Sequence, residues 1–234
     1  MASYWYNHVL FAGGRPARPP WERGEKQVIT YRSIQPSDHA ELGRIIVDTW
    51  KFDQFTGGPE GAAHFGQSYL LSCLLRESYT CVALREGRPV GVIVGSDCRK
   101  GRKRWHWGAY FRALRHAVPL LFDRSFRKGN GEWSGYGETL AALDRAVGYP
   151  FDAELSLFLV DESCRGLGIG KQLYRNLMEH FAAEGIESFY VHTDTGCNHR
   201  FYEAQGLQRL AEAATEFSYA GVEKVTVFVY GQKK

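Results

Sequence analysis

Apolar residues along the chain keep two rhythms, one of two residues and one near 3.6, and each change of rhythm marks an element. Gln27 to Ser33 predicts a first strand. Pro36-Ser-Asp38 then opens a helix with Leu42, Ile45, Ile46 and Trp50 on one side, and Thr56-Gly-Gly-Pro59 breaks it. A second helix, roughly Gly61 to Glu77, carries Tyr69, Leu70, Cys73 and Leu74. Tyr79 to Arg85 and Pro89 to Ser96 read as two strands of a hairpin around Glu86-Gly87-Arg88. Glu154 to Val160 is an unbroken run rich in Leu, Phe and Val, the composition of a strand covered on both faces. Behind a short turn, Ile169, Leu173, Leu177 and Phe181 form one helical stripe, with Lys171, Gln172, Arg175 and Glu179 turned elsewhere. Glu187 to Thr193 is a further strand, and a strand–helix–strand crossover of this length implies parallel neighbours. Asn198 to Gln205 is a short helix ended by Gly206, and Val225 to Tyr230 alternates as a closing, antiparallel strand.

These elements predict an α/β fold of three layers (α/β/α) around a sheet of mixed strand direction, formed by residues 27–234 as one domain. Two stretches stand outside the frame. Residues 1–26 hold Gly13-Gly14, Pro16 and Pro19-Pro20 among few aliphatics, which reads as an irregular extension docked by Tyr4, Trp5, Tyr6 and Trp21. Residues 98–150 form a helical insertion crowded with aromatics, including Trp105, Trp107, Tyr110, Phe111, Phe122, Phe126, Trp133 and Tyr136. Most such aromatics are core, since a helical insert must pack on something.

The run Arg165-Gly-Leu-Gly-Ile-Gly-Lys171 sits between the central strand and its helix. Three glycines at alternate positions strip side chains from the junction, so backbone N–H groups can close on a ligand. At a helix N-terminus those donors and the dipole favour an anion, and Arg165 and Lys171 add full positive charge. A dinucleotide fingerprint would need Gly where Lys171 stands, and a Walker loop would need Ser or Thr where Gln172 stands. The remaining fit is Arg-x-x-Gly-x-Gly. This closely resembles the pyrophosphate loop of the GNAT N-acetyltransferases.

The resemblance implies the GNAT fold, an acyl-coenzyme A-dependent N-acyltransferase and acetyl-CoA as co-substrate, with no metal. It places the donor on Phe158, Leu159 and Val160 of the central strand and on Arg165, Gly166, Leu167, Gly168, Ile169, Gly170 and Lys171. The Phe158 and Val160 backbones bond pantetheine as if it were another strand, with the Phe158 N–H on the acetyl carbonyl. Phe201-Tyr-Glu-Ala-Gln-Gly-Leu207 resembles the family's Tyr-x-x-x-Gly ending, which makes Tyr202 the proton donor to the leaving thiolate. Asn198 is a further pantetheine contact, although Thr195 stands where the family often has Asn. Glu154 lies eleven residues before Arg165, the offset of the catalytic glutamate in histone acetyltransferases of this superfamily. A primary amine of pKa about 10.4 is roughly one part in 2500 neutral at pH 7, a deficit of about 4.6 kcal/mol that a base or desolvation must cover. Glu154 is the best candidate for that base; its other reading is a strand-edge glutamate in water or paired to Arg145. Strict alternation would put it on one face with Ser156, Phe158 and Val160. Asp161 and Glu162 are weaker candidates. In the family the hairpin runs almost directly into the central strand, so the insertion is a departure. It is expected to wall the acceptor pocket together with residues 50–55.

Composition then narrows the alternatives. A formal charge of +3 on 234 residues is too small to imply nucleic acid or membrane, and no apolar run is long enough to span a bilayer. Arg99-Lys-Gly-Arg-Lys-Arg104 reads as a solvated loop rather than a nucleic-acid contact. Five cysteines without paired spacing argue for reduced thiols and a cytoplasmic location. His192, Asp194 and His199 match no standard zinc spacing, and Cys164 and Cys197 fit packing better than an acyl-cysteine route. The expected acceptor is a primary amine on a small molecule or peptide. The other readings are a domain that binds acyl-CoA without turnover, an acyltransferase using another acyl chain or a hydroxyl acceptor, and more remotely a nucleic-acid adaptor using 99–104. The oligomeric state is left open, a homodimer among the options.

Overall fold

A computed structural model describes residues 28–99, 107–218 and 222–233, without the side chains of 107, 109 and 129–134. The extension 1–26 and the basic run beyond Arg99 lie outside the described residues. The chain runs β1 (Ile29–Arg32), α1 (His39–Trp50), α2 (Pro59–Cys73), β2 (Tyr79–Arg85), β3 (Arg88–Asp97), α3 (Trp107–Leu120) and α4 (Arg124–Val147). It continues through β4 (Ala153–Val160), α5 (Ile169–Ala183), β5 (Phe189–Asp194), α6 (Arg200–Ala204), β6 (Gln208–Ala214) and β7 (Thr226–Gln232). The seven strands form one sheet in the order β1-β2-β3-β4-β5-β7-β6. Every neighbouring pair is antiparallel except β4 and β5, which are parallel because α5 crosses between them.

The layers follow from alternation. Leu173, Leu177 and Phe181 of α5 meet Ile93, Phe189, Val191, Phe228 and Tyr230 on one face of the sheet. On the other face Leu42, Ile45, Ile46, Leu70 and Leu71 of α1 and α2 meet Val82, Val92, Val94, Leu157 and Leu159. Beside them Leu143 and Tyr136 of α4 cover Val227 and Val229, with Trp50 and Phe55 touching both clusters. The α1–α2 contact is tight at Gly66, where a Cβ would lie 2.4 Å from the Gly43 carbonyl oxygen.

The hairpin turns on Glu86 and Gly87, both at positive φ, a two-residue turn whose twist suits the flanking strands. Helix α2 stops at Cys73 rather than Glu77, and Ser78 already bonds the Gly95 carbonyl. Strand β6 escapes the hydrophobic pattern: its sequence, Gln208 to Ala214, is three alanines, three polar residues and one leucine at an edge. Among the described residues the insertion holds α3 and α4. Asp123 caps α4 by accepting from the Ser125 and Phe126 N–H groups at 2.8 and 3.1 Å, and from the Gly57 N–H at 2.7 Å. That third bond ties the insertion to the loop entering α2. Among the described residues no helix is long and apolar enough to cross a membrane.

Candidate active site

The sheet is open at its middle. β4 and β5 pair only at Ala153–Phe189 and Glu154–Tyr190, whereas β4 stays paired to β3 as far as Val160 and β5 to β7 as far as Asp194. Beyond Glu154 the two strands therefore diverge, each held by its outer neighbour. The Asp161 N–H donates to the Val90 carbonyl of β3 at 2.8 Å. By alternation Leu159 also directs its backbone groups at β3, and Phe158 and Val160 direct theirs into the opening. The Leu159 side chain is buried between β4 and α1/α2, so it holds the strand rather than facing the gap.

One edge of that opening carries the glycine loop. Gly166 and Gly168 sit at φ +80° and +79°, and a Cβ at either would meet open space. Gly170 differs: its Cβ would touch the Phe158 ring at 3.4 Å, so the third glycine lets the first turn of α5 lie on β4. Ile169 is buried as the anchor of the helix, while Arg165, Leu167 and Lys171 are exposed. Gln172 is the first residue to bond back into the helix, to the Gly168 carbonyl, which leaves the N–H groups before it turned outward. Neither Arg165 nor Lys171 is ion-paired to a described residue. Backbone donors, a helix dipole and two unpaired cations thus converge beside the open edge of β4, a cradle chemically suited to a diphosphate.

Tyr202 lies on the α5 side of the gap. It is buried among Phe158, Tyr174 and Phe201, and the Phe158 and Phe201 rings, 5.4 Å apart, join β4 to α6 across the opening. Burial, then the neighbouring Cys197 and Tyr174, raises its pKa, so it is held as a neutral phenol. Asn198 is exposed on the turn after β5, its carbonyl accepting from the Phe201 N–H.

Glu154 is not on that side. The β3–β4 register shifts between Val94–Leu157 and Gly95–Leu155, which makes Ser156 an extra residue in a β-bulge, tied by its hydroxyl to the Ser96 hydroxyl at 2.9 Å. Ala153 and Leu155 face α5, as do Phe158 and Val160, whereas Leu157 and Leu159 face α1 and α2. The expected shared face of Glu154 with Phe158 and Val160 is therefore corrected: the bulge resets the alternation and turns Glu154 to the opposite face. Its ionic neighbour is Arg76 at 4.0 Å, not Arg145.

On that second face Glu154 heads a polar, aromatic-lined region between α2 and α4. Asp194, buried at the end of β5, accepts from the Tyr136 hydroxyl of α4 at 2.9 Å and from the Gly196 N–H at 2.8 Å. Tyr69 of α2 lies 5.5 Å from the Trp50 ring, and the Trp50 indole N–H points at the Cys197 sulfur at 3.5 Å. Burial, then the nearby Cys73, Cys197, Asp194 and Glu154, drives the Tyr69 pKa up. Burial and Asp194 do the same to Tyr136, so both phenols stay protonated. Sequence reading gave Asp194 only as a doubtful metal ligand. Its pairing with Tyr136 spans 58 residues and left no local signal.

The remaining candidates fall elsewhere. Asp161 is committed to the turn after β4: burial opposes its charge, but bonds from Ser163 and Arg44 outweigh this and lower its pKa. Glu162 is exposed on the same turn. His192 bonds Asp144 at 2.7 Å, and no three metal-type ligands cluster among the described residues. Burial pushes the Cys73 and Cys98 thiols up to about 12 and about 11, which keeps both protonated and poorly nucleophilic.

Known proteins supply an independent comparison. The profile of the acetyltransferase (GNAT) family matches residues 47–207. The N-alpha-acetyltransferase RimI of Mycobacterium tuberculosis is 27% identical over 148 residues, 59% of this chain and 89% of that protein. Among solved structures, the polyamine N acetyltransferase of Drosophila melanogaster superposes with a TM-score of 0.53 at 14% identity, covering 88% of this chain and all of that one. The ribosomal-protein-S18-alanine N-acetyltransferase of Escherichia coli gives 0.51 at 10% identity, over 87% of this chain and 92% of that one. Such distant structures share the fold. With a family match over most of its length, an opened sheet and a glycine cradle beside it, the chain belongs to the GNAT family and is an acetyltransferase.

Proposed function

We propose that the protein transfers an acetyl group from acetyl-CoA to a primary amine, by direct attack in a ternary complex whose two substrates enter from opposite faces of the sheet. The observation that carries this reading is the two-pair contact between β4 and β5. It leaves a gap with a phosphate cradle on the α5 face and an acidic, aromatic region on the α2/α4 face.

On the donor side Arg165 to Lys171 hold the diphosphate, and the backbones of Phe158 and Val160 bind the pantetheine arm along the open edge of β4. Bound there, acetyl-CoA supplies the thioester whose acyl group moves to the amine. A preorganised N–H at Phe158, aimed at the thioester carbonyl, stabilises developing charge by about 3 kcal/mol. Tyr202, kept neutral by burial, gives its proton to the leaving sulfur as the C–S bond breaks, and is reprotonated by the second proton that the amine nitrogen loses as the amide forms. Asn198 adds a polar contact at the rim.

On the acceptor side Glu154 takes the proton from the incoming ammonium. Asp194 and the rings of Trp50, Tyr69 and Tyr136 favour a cation over a neutral alcohol. The acceptor is therefore a cationic amine of a small molecule or of a peptide N-terminus, and the insertion helps to select it through Tyr136. Free-thiol release measured over a panel of polyamines, aminoalkyl compounds and peptide amines tests the reading. Turnover with an amine and none with the matching alcohol is the expected result. Tight acetyl-CoA binding with no release across the panel would instead make the protein a non-catalytic acyl-CoA binder.

A further inference from the structure

We propose that α3 is a docking surface for an anionic lipid bilayer, one that holds the enzyme peripherally at a membrane. The helix packs against α2 through Ala113, His116 and Leu120, the His116 Nδ1 lying 3.1 Å from that of His64. At about 100° per residue, Tyr110, Phe111, Leu114 and Val118 fall in a different arc, and all four are exposed. The turn that ends the helix carries the stripe onward: Leu121 and Phe122 bond back to the Val118 and Pro119 carbonyls at 3.1 and 3.0 Å. That turn presents Leu121 at 61% exposure and Phe122 at 79%, with Phe111 at 62%. Six apolar side chains exposed along one side of a surface helix and its end turn suit a docking role.

Charge identifies the partner. Arg112, Arg115, Arg124, Arg127 and Lys128 are exposed around the stripe, and Asp123, the one acid among residues 107–128, is spent capping α4. Residues 99–128 hold ten of the chain's 29 lysines and arginines and one of its 26 acids. The net charge of +3 conceals this asymmetry, and the lack of a spanning segment says nothing about a peripheral contact. A second copy of the chain would bring two such cationic faces together. A nucleic acid would take the charge but leave Leu114, Val118 and Leu121 in water. A bilayer containing phosphatidylserine takes both: aromatic and aliphatic side chains enter the headgroup boundary while the arginines meet anionic lipid.

Vesicle flotation of the full chain tests this, comparing phosphatidylcholine alone with vesicles containing about 30 mol % phosphatidylserine. The protein is expected to float with the anionic vesicles, at least tenfold less with the neutral ones, and to be released at about 0.5 M NaCl. Phe111→Asp/Phe122→Asp and, separately, Arg112→Gln/Arg115→Gln should each lower flotation at least tenfold without changing Tm or amine acetylation. Absence of flotation, equal flotation on neutral vesicles, or full flotation of the Phe double variant would overturn the proposal. So would a dimer in sedimentation that the Phe double variant dissolves, if vesicles are not bound. Salt-sensitive retention of an RNA homopolymer by both parent and Phe variant, without vesicle binding, would overturn it in favour of nucleic acid.

Discussion

Gly168 offers the sharpest test of the donor site. It is the residue before the first turn of α5, at φ +79° and ψ −1°, and a Cβ added there meets no other atom within 4 Å. Gly168→Ala therefore costs strain alone, about 1–2 kcal/mol for an L-residue in the left-handed region. In a chain of this size that lowers Tm by about 2–8 °C. Donor affinity should fall by less than about tenfold, since the added methyl group displaces no protein atom. Gly168→Glu adds a carboxylate in the same place. Taking about 6 Å to each phosphate and an effective dielectric near 20, the repulsion is about 3 kcal/mol per phosphate charge. Salt screening on an exposed loop roughly halves it. Two phosphates then leave about 3 kcal/mol, a loss of affinity on the order of a hundredfold. Titration calorimetry with acetyl-CoA reads the affinity, and a thermal melt of the same sample shows whether the variant is folded. A folded Gly168→Glu protein that binds within about threefold of the parent would place the diphosphate elsewhere and refute the assignment.

Four further outcomes follow from the same geometry. Tyr202→Phe should lower kcat by about 10²–10³ with donor affinity nearly unchanged, read by thiol release and calorimetry; a large loss of binding would make the residue structural. Tyr136→Phe and Asp194→Asn should raise KM for the amine more than they lower kcat, whereas equal effects on every amine and on Tm would mark the pair as packing only. Gly66→Val must push α2 off the Gly43 carbonyl, at about 1–3 kcal/mol or more, visible as a lower Tm with the same residual activity at 20–25 °C. Asp38, buried and bonded to Arg32 at 2.6 and 2.8 Å and to the Gln35 N–H at 2.7 Å, should be acid-sensitive. Burial opposes its charge, but these bonds outweigh it and lower the folded pKa, so the stabilisation is complete above the unfolded value near 4 and is lost as pH falls through the lower folded value. Asp38→Asn should then cost about 3 kcal/mol at pH 7 and progressively less as the pH falls below the unfolded value, measured by urea unfolding.

Much of this arrangement was legible in the chain because it is local. The glycine cradle, the stripe of Ile169, Leu173, Leu177 and Phe181, and the hairpin each depend on neighbours within about one helical turn or one reverse turn. Tyr202 is a candidate through the motif around it, and it lies buried in the cluster that joins Phe158 of β4 to Phe201. What the chain did not disclose arises from pairing across distance. The extra residue at Ser156 is visible only once β3 sets the register, so alternation put Glu154 on the wrong face. The bond between Tyr136 and Asp194 needs α4 folded over β5 before either residue has a meaning. Strand β6, with its run of alanines and polar residues, is a strand because β7 pairs with it, not because its own pattern asks for one.

The bulge also bears on how one strand can serve two substrates. In the reaction we propose, β4 offers backbone groups to the donor along its open edge and a carboxylate to the acceptor, on different faces. Under strict alternation Glu154 would share a face with Phe158 and Val160, and the base would sit against the α5 layer among Leu173 and Leu177, where neither water nor an amine has access. One inserted residue leaves Phe158 and Val160 aimed into the gap and turns Glu154 toward α2 and α4. There Arg76 lies 4.0 Å away and the carboxylate keeps partial contact with solvent. The same face is the one the insertion covers, with Tyr136 reaching Asp194. In the proposed reaction the broadly shared part of the fold grips the donor, while the side chains that meet the acceptor come from the bulge, from α2 and from the added helix α4. A change of acceptor would then require altering the insertion and leaving the cradle as it stands.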